Sequence, residues 1–371
     1  MSPIDDFILL NGLSKVGPIT SKRLLEHFKG DVTGIFKAGN NELSKVNGVG
    51  GKIIDSIKNP KNQEWLLSEI KKIKKRNVSF LIQTNLPELL LEIYDPPIGL
   101  YVDGNIPQLP FVAIVGTRNP TMYGERQARL MAEQLTRAGF CVVSGMARGI
   151  DTAAHEGALE AGGPTVAVLG SGIDIVYPPE NLGLYQRIVK NGAVVSEFPF
   201  GRKPDRSTFP MRNRIVSGMS QAVLVIESAA SGGSLITSQL AADQGRTVFA
   251  VPGRIDQPSS AGCHKIIREG ATLVRGVSDI IEDLRPYMNE SQAILNFESN
   301  KNTVSESKSV NYQLSRIECS ILNQLKEGDQ LSIDELCEAL SLSISEVMSA
   351  ITLLELNKCL RKNPNGKFES L

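Results

Sequence analysis

Short apolar segments alternate with helical patterns along the chain between residues 111 and 274. Seven segments have the length and apolar character of buried strands: Phe111–Gly116, Phe140–Val143, Thr165–Leu169, Ala193–Val195, Ala222–Ile226, Thr247–Ala250 and Thr272–Val274. Helical patterns separate them, among them Tyr123–Ala138, Ile150–Glu160 and Glu180–Lys190. Strands that are apolar on both faces need helices on both sides, which is typical of parallel sheets. The alternation therefore predicts an α/β domain, residues 86–285, with a parallel sheet at its centre.

The segment before this domain, residues 1–85, has helical periodicity. Two short turns, Lys15–Ile19 and Val46–Gly50, each precede a helix. The second resembles a helix-hairpin-helix, whose glycine-rich turn presents backbone N–H groups to a phosphate. A plain turn between two helices is the alternative. We predict a helix-hairpin-helix or SAM-like helical domain, and we interpret the basic run from Lys71 to Arg76 as the solvated end of a helix.

The segment after the sheet domain divides into two parts. Residues 286–311 are rich in Ser, Asn, Glu and Lys, which is typical of a flexible linker. Residues 312–371 show three helical patterns followed by an Asn365-Gly366 turn signal, which predicts a winged helix. The third helical pattern, residues 343–356, has no basic residue. We therefore expect this helix to contact a protein rather than the DNA major groove.

Composition narrows the functional classes. The chain has 371 residues, and its 40 Lys and Arg balance its 40 Asp and Glu, so any anion site must be local. The five cysteines are scattered without metal-ligand spacing, which indicates a reducing compartment. We expect a cytoplasmic protein with no signal peptide, no membrane-spanning helix, no metal and no cofactor. A Walker-A loop and the dinucleotide-binding glycine fingerprint are both absent from the sequence.

Small and polar residues follow nearly every predicted strand, and a basic segment with aromatic residues lies among them. Because parallel strands end at one edge of the sheet, these turns predict an extended polyanion site there. The segment 196–220 contains Phe198, Phe200 and Phe209 among basic residues: Arg202, Lys203, Arg206, Arg212 and Arg214. Guanidinium groups suit phosphates, and exposed rings offer stacking surfaces for bases. A solvated loop with a few buried phenylalanines is the alternative.

Seven motifs, in order along the sheet domain, resemble those of the DprA family, also called Smf. They are IVGTRNPTMYG (114–124), SGMARGIDTAAH (144–155), LGSGIDIVYPPEN (169–181), SEFPFGRKP (196–204), FPMRNRIVSGMS (209–220), SGGSLITSQLA (231–241) and AVPGRIDQPSSAGCHKIIREGATLV (250–274). The resemblance implies an extended Rossmann-like domain between a helical domain and a winged helix. It also implies a dimer that binds single-stranded DNA and loads the RecA recombinase during natural transformation.

The resemblance and the strand-end turns together give the predicted DNA-binding residues. These are Gly116, Arg118, Gly170, Ser171, Gly172, Lys203, Arg206, Phe209, Arg212, Asn213, Arg214, Ser231, Gly233 and Ser234. If Arg212 and Arg214 lie on a helix, their spacing directs them to different sides, so one of the two can be structural. Which one faces the ligand is left open by the sequence.

An enzymatic alternative comes from phosphoribohydrolases of the same superfamily, which carry a catalytic Glu after a glycine-rich turn. Here Gln239 occupies that position, and an amide is no general base. We therefore predict a non-enzymatic binding protein, with a nucleotide-binding or nucleotide-hydrolysing enzyme as the alternative. The end of the sheet domain supplies a predicted dimer surface at His264, Ile267 and Leu273, with an intramolecular lid as the alternative.

Overall fold

The computed structural model describes residues 3–285, 315–325, 331–356, 359–362 and 367–370. The chain forms two compact units, Met1–Glu298 and Ser299–Leu371, and each is described by itself. The predicted linker, residues 286–311, and the predicted Asn365-Gly366 turn lie outside the described residues.

The first unit begins with six helices, in agreement with the helical periodicity of its sequence. They are α1 (Pro3–Gly12), α2 (Pro18–His27), α3 (Val32–Lys37), α4 (Asn40–Leu43), α5 (Gly51–Ile57) and α6 (Asn62–Arg76). Helices α2 and α5 follow the two turns that the sequence marks. Helix α6 ends at Arg76, and Asn77 caps it with a left-handed backbone (φ 55°) before the first strand.

A sheet of nine strands forms the centre of the first unit. The strands are β1 (Ser79–Ile82), β2 (Gly99–Gly104), β3 (Phe111–Val115), β4 (Cys141–Ser144), β5 (Thr165–Val168), β6 (Ala193–Ser196), β7 (Ala222–Val225), β8 (Thr247–Ala250) and β9 (Thr272–Leu273). Their order is β1-β2-β6-β5-β4-β3-β7-β8-β9. Strands β3 to β9 are parallel, whereas β2 is antiparallel to both β1 and β6.

The sequence prediction of seven parallel strands is thus confirmed, but the two antiparallel strands at one edge were missed. Strand β1 has four residues and directly follows a Lys-rich helix. Strand β2 lies between Pro97 and Pro107. Neither segment belongs to the alternation of apolar strands and helical patterns that predicts the parallel strands.

Eight helices accompany the sheet within the described residues of the first unit. They are α7 (Glu88–Leu91), α8 (Met122–Arg137), α9 (Ile150–Glu160), α10 (Leu182–Asn191), α11 (Thr208–Gly218), α12 (Ser234–Asp243), α13 (Ala261–Arg268) and α14 (Val277–Leu284). The helix predicted from Glu180 starts two residues later, because Pro179–Asn181 forms a 3₁₀ turn.

Three apolar clusters show how the layers pack. On one face of the sheet, α8, α9 and α14 bury residues such as Met131, Ala154 and Ile280. On the other face, α11, α12 and α13 bury residues such as Ile215 and Cys263. The third cluster joins the N-terminal helices to the β2–β6 part of the sheet, where Leu10 and Leu24 share a core with Tyr101, Leu169 and Val194.

Within its described residues, the second unit has three helices and two antiparallel strands that pair with each other, which confirms the predicted winged-helix layout. They are α15 (Arg316–Gln324), α16 (Ile333–Leu340), α17 (Ile344–Leu356), β10 (Leu360–Lys362) and β11 (Phe368–Ser370). Capping boxes of Ser315 with Glu318 and of Ser332 with Glu335 start the first two helices. Within the described parts of the chain, no single helix is long and apolar enough to cross a membrane. Only α16 with Ile344–Glu355, a pair bent by 115°, reaches the required length and composition.

Candidate functional site

Strands β3, β4, β5 and β7 end at the same edge of the sheet, and the segments that follow them enclose an open groove. We call it the rim groove, and its larger part encloses about 480 Å³. Ten of the residues predicted from the sequence line it: Gly116, Arg118, Gly170, Ser171, Arg206, Phe209, Arg212, Asn213, Gly233 and Ser234. The groove therefore brings together residues from motifs that are more than 100 positions apart in the chain.

An aromatic ring forms the centre of the rim groove. Phe209, at the start of α11, is half-buried, and the guanidinium carbon of Arg118 lies 5.0 Å from its ring centroid. The ring centroid of Tyr177 lies 6.0 Å from that of Phe209. A Cβ atom at Gly170 would approach the Phe209 ring to 3.1 Å, so glycine lets the strand-end turn pack closely against the ring. A ring that is beside a cation and open to the groove offers a stacking face to a base.

Arg212 supplies a buried positive charge at the base of the same groove. Its side chain donates hydrogen bonds to the carbonyls of Gly145 and Val168 and, through Nε, to Asn213 Oδ1 at 3.0 Å. A Cβ at Gly145 would lie 1.8 Å from the guanidinium, so only glycine leaves room for it. Burial lowers the pKa of Arg212, and the nearby carboxylate of Asp151 opposes that shift. The carboxylate holds its own position by accepting the N–H groups of Gly145 and Ala147.

Arg214 lies on the opposite side of α11 and does not line the rim groove. It is as buried as Arg212, at 4% against 5% exposure, but it has different partners. Its guanidinium binds both carboxylate oxygens of Glu197, donates to the backbone carbonyl of Asp95 at 2.6 Å and lies 3.4 Å from the Asp95 carboxylate. Burial raises the pKa of Glu197, and Arg214 opposes that shift. The predicted divergence of Arg212 and Arg214 is thus observed, and Arg212 is the one that lines the groove.

Phe198 and Phe200 are also not stacking surfaces, because both are buried at 8% exposure. The ring of Phe200 packs edge-on against Tyr101, with centroids 5.7 Å apart. For these two residues the alternative of buried phenylalanines in the basic segment is correct, and Phe209 alone presents its ring to the groove.

The remaining predicted residues shape the groove or lie beside it. Ser171 uses its hydroxyl internally, donating to the carbonyl of Ile175 at 2.7 Å, and the Gly172 N–H donates to the Arg202 carbonyl at 2.8 Å. Lys203 and Ser231 are exposed but do not line the groove. The Ser234 hydroxyl donates to the Ser228 hydroxyl at 2.8 Å, at the N-terminus of α12.

Several residues that line the groove were not among the predicted site residues. They are Thr117, Gly145, Ala147, Arg148, Asp151, Tyr177, Gly232 and Thr237. Most belong to the strand-end turns that the sequence marks, so that signal was available for all except Asp151, Tyr177 and Thr237. Arg148 forms an ion pair with Glu180, and both side chains are about half exposed.

Two residue patterns that suggest acid–base chemistry have structural roles. His155 is fully buried, its Nδ1 lies 2.7 Å from Thr165 Oγ1, and burial, with a contribution from Arg212, lowers its pKa to about 3. Asp151, four residues earlier on the same helix, instead accepts the N–H groups of Gly145 and Ala147. Gln239 is exposed on α12, donates to Asp243 at 2.9 Å and does not line the rim groove. Among the described residues, no three His, Cys, Asp or Glu side chains cluster as a metal site would require.

The predicted dimer residues lie at the β9 edge of the sheet. His264 Nε2 is 2.9 Å from the Gly253 carbonyl, and Ile267 is half-buried. Leu273 is 45% exposed on the terminal strand. Within the described part of the chain, β9 is the terminal strand of the sheet and pairs with β8, so this edge presents an apolar side chain.

Comparisons with known proteins give the family. The model of the DNA recombination-mediator protein A family matches residues 77–285, and that of the DprA winged helix domain matches residues 306–366. Protein Smf from Synechocystis is 38% identical over 287 residues, 75% of this chain and 72% of the relative. DNA processing protein DprA from Bacillus subtilis is 42% identical over 53% of this chain and 68% of the relative.

Two solved structures share the architecture. DNA processing protein A from Streptococcus pneumoniae is 34% identical with a TM-score of 0.57, covering 72% of this chain and 98% of its own. DNA processing protein A from Helicobacter pylori, whose structure was described for its single-stranded DNA binding mode, is 29% identical with a TM-score of 0.52, covering 57% and 99%. Because the two family models match the sheet domain and the winged helix, and the first alone covers more than half of the chain, the chain belongs to the DNA recombination-mediator protein A family, the DprA/Smf proteins.

Proposed function

We propose that this protein binds single-stranded DNA in the rim groove, without catalysing a reaction on it. The arrangement of Phe209 carries the proposal, because its ring faces the groove beside Arg118 and above the Gly170 turn. An aromatic face with adjacent guanidinium groups matches the combination of base stacking and phosphate contacts that single strands require. The binding mode described for the Helicobacter pylori relative supports the same ligand.

Recognition is expected to be largely independent of base sequence. The cationic groups of the groove, Arg118, Arg206 and Arg212, suit phosphates, and the ring of Phe209 stacks on any base. Family membership supports the further proposal that the bound strand is delivered to the RecA recombinase in the cytoplasm during natural transformation. The exposed residues of α17, Ile344 and Met348, suit a protein contact better than DNA.

Fluorescence anisotropy of a labelled single strand, with a matched duplex as competitor and a salt series, tests the proposal. We expect preference for the single strand and a loss of affinity of roughly 0.7 log units per log unit of salt for each phosphate contact. If neither form binds, or if the duplex displaces the single strand at equal concentration, the proposal fails. Mononucleotides would then be tested as ligands and substrates.

We also propose that the β9 edge forms a homodimer. A Leu273→Arg change places a charge on the exposed apolar position of the terminal strand, so we expect it to convert a dimer into a monomer in sedimentation velocity. Leu182→Arg, at a 52% exposed position on α10, is the matched control and is expected to leave the dimer intact. A Leu273→Arg protein that sediments as a dimer would contradict this assignment.

A further inference from the structure

Helix α6 is fixed directly beside the loop that leads to the rim groove. Glu69, on α6, is fully buried, and its Oε1 accepts the backbone N–H of Phe200 at 2.8 Å and the Tyr101 hydroxyl at 3.1 Å. A buried carboxylate that accepts two such bonds holds its partners firmly. The helical region and the segment 198–203 are therefore connected by a specific bond, not only by apolar packing.

The same loop continues to the strand-end turn of the groove. The Gly201 N–H donates to Asp174 at 2.9 Å, and the carbonyl of Arg202 accepts the N–H of Gly172 at 2.8 Å. Pro204, two residues further, lines the groove itself. Exposed Lys203 lies between these points. The loop backbone thus runs from Pro204 at the groove, past exposed Lys203, to Phe200, which is hydrogen-bonded to α6.

Three of the exposed basic residues of α6 form what we call the α6 stripe: Lys72, Lys75 and Arg76. Lys72 and Arg76 follow Glu69 at i+3 and i+7, so they lie on its side of the helix. Lys72 Nζ is 3.2 Å from the Glu69 carboxylate. Lys75 adjoins them on the helix surface.

The charge of Arg76 also acts on Tyr185, a residue close to the Gly172 turn. Burial and Asp103 raise the pKa of Tyr185, and the charge of Arg76 opposes the rise. The Tyr185 hydroxyl lies between Asp103, at 2.6 Å, and the carbonyl of Ile173, the residue that follows Gly172. Among the described residues, no carboxylate forms an ion pair with Lys75 or Arg76.

We propose that a single strand leaving the rim groove past Lys203 continues across the α6 stripe, which contacts its phosphates. The inference rests on the proposed function, because it extends the path of the same ligand. It replaces our interpretation of this basic run as a solvated helix end. The stripe differs from an ordinary charged face in its continuity with the groove, since the Glu69–Phe200 bond fixes the distance between them.

The test compares two strand lengths, a short oligonucleotide of roughly 6 nucleotides that fills the groove alone and one of roughly 24 that reaches beyond it. In a triple Lys72→Gln, Lys75→Gln, Arg76→Gln variant, we expect unchanged affinity for the short strand. For the long strand, the slope of log affinity against log salt is expected to become shallower by about 2, because each of the three lost phosphate contacts contributes roughly 0.7. A Lys75→Gln, Arg76→Gln double variant keeps the Lys72–Glu69 pair. Its slope is expected to change by about two thirds as much as that of the triple variant.

The matched control is a triple Lys29→Gln, Lys37→Gln, Lys45→Gln variant. It removes three exposed charges from other positions of the same helical region. It is expected to retain the wild-type slope. Equal slopes for wild type and both stripe variants on the long strand would overturn the inference, as would an equal loss on both lengths. If the unaltered protein binds neither length, the proposed function itself has failed.

Discussion

Replacing Arg214 with alanine is expected to lower the free energy of unfolding by about 3–5 kcal/mol, the cost of removing one partner of a buried ion pair. The change leaves the carboxylate of Glu197, 7% exposed, without its guanidinium, and the carbonyl of Asp95 without a donor. Urea denaturation followed by circular dichroism measures the difference. The sequence places Arg214 in the binding segment, and a loss of this size would assign it a structural role.

Two comparisons make that result interpretable. Arg206→Ala, at an exposed position of the same segment, is expected to change stability by no more than about 0.5 kcal/mol. A double Arg214→Met, Glu197→Leu variant removes both charges together and is expected to recover most of the lost stability. A single Arg214→Ala variant as stable as Arg206→Ala would show that the ion pair contributes little.

Replacing Phe209 with alanine is expected to weaken binding of single-stranded DNA by about 1–3 kcal/mol, which is roughly 5- to 150-fold. The loss follows from removal of the only phenylalanine ring in the basic segment that faces the groove. Because stacking is uncharged, the salt dependence of the remaining affinity is expected to stay unchanged. Anisotropy at several salt concentrations measures both quantities.

Variants at two positions serve as controls for the role of Phe209. Phe209→Trp keeps an aromatic face and is expected to retain most of the affinity. Arg118→Ala removes a charge, so its loss is expected to include a decrease of roughly 0.7 in the salt slope. If Phe209→Ala binds as tightly as the unaltered protein, the ring is not the stacking surface.

The parts of the fold with strong local signals were predicted from the sequence. Helix Ile150–Glu160 and strand Thr247–Ala250 were predicted to the residue, because apolar periodicity and flanking glycines mark them. Strands β1 and β2 were not, since neither belongs to the alternation of strands and helices that marks the parallel sheet. Strand β2 pairs with β6, about 90 residues further along the chain, and β1 pairs with β2.

The site was predicted to a similar extent and for similar reasons. Strand-end turns located the groove, because the topology of a parallel sheet brings them to one edge. The separate roles of Arg212 and Arg214 depend on Val168, Glu197 and Asp95, which only the tertiary structure brings near α11. No local pattern distinguishes a guanidinium that lines a groove from one that is held in the interior.

The shared core of the N-terminal helices and the β2–β6 strands limits how this protein can be divided. A chain shortened to begin at residue 77 would leave Tyr101 without Glu69 and would expose the apolar surface now covered by Leu10 and Leu24. The helical region and the sheet edge that it covers therefore share one core, so a substitution on one side of this core is expected to change the packing on the other.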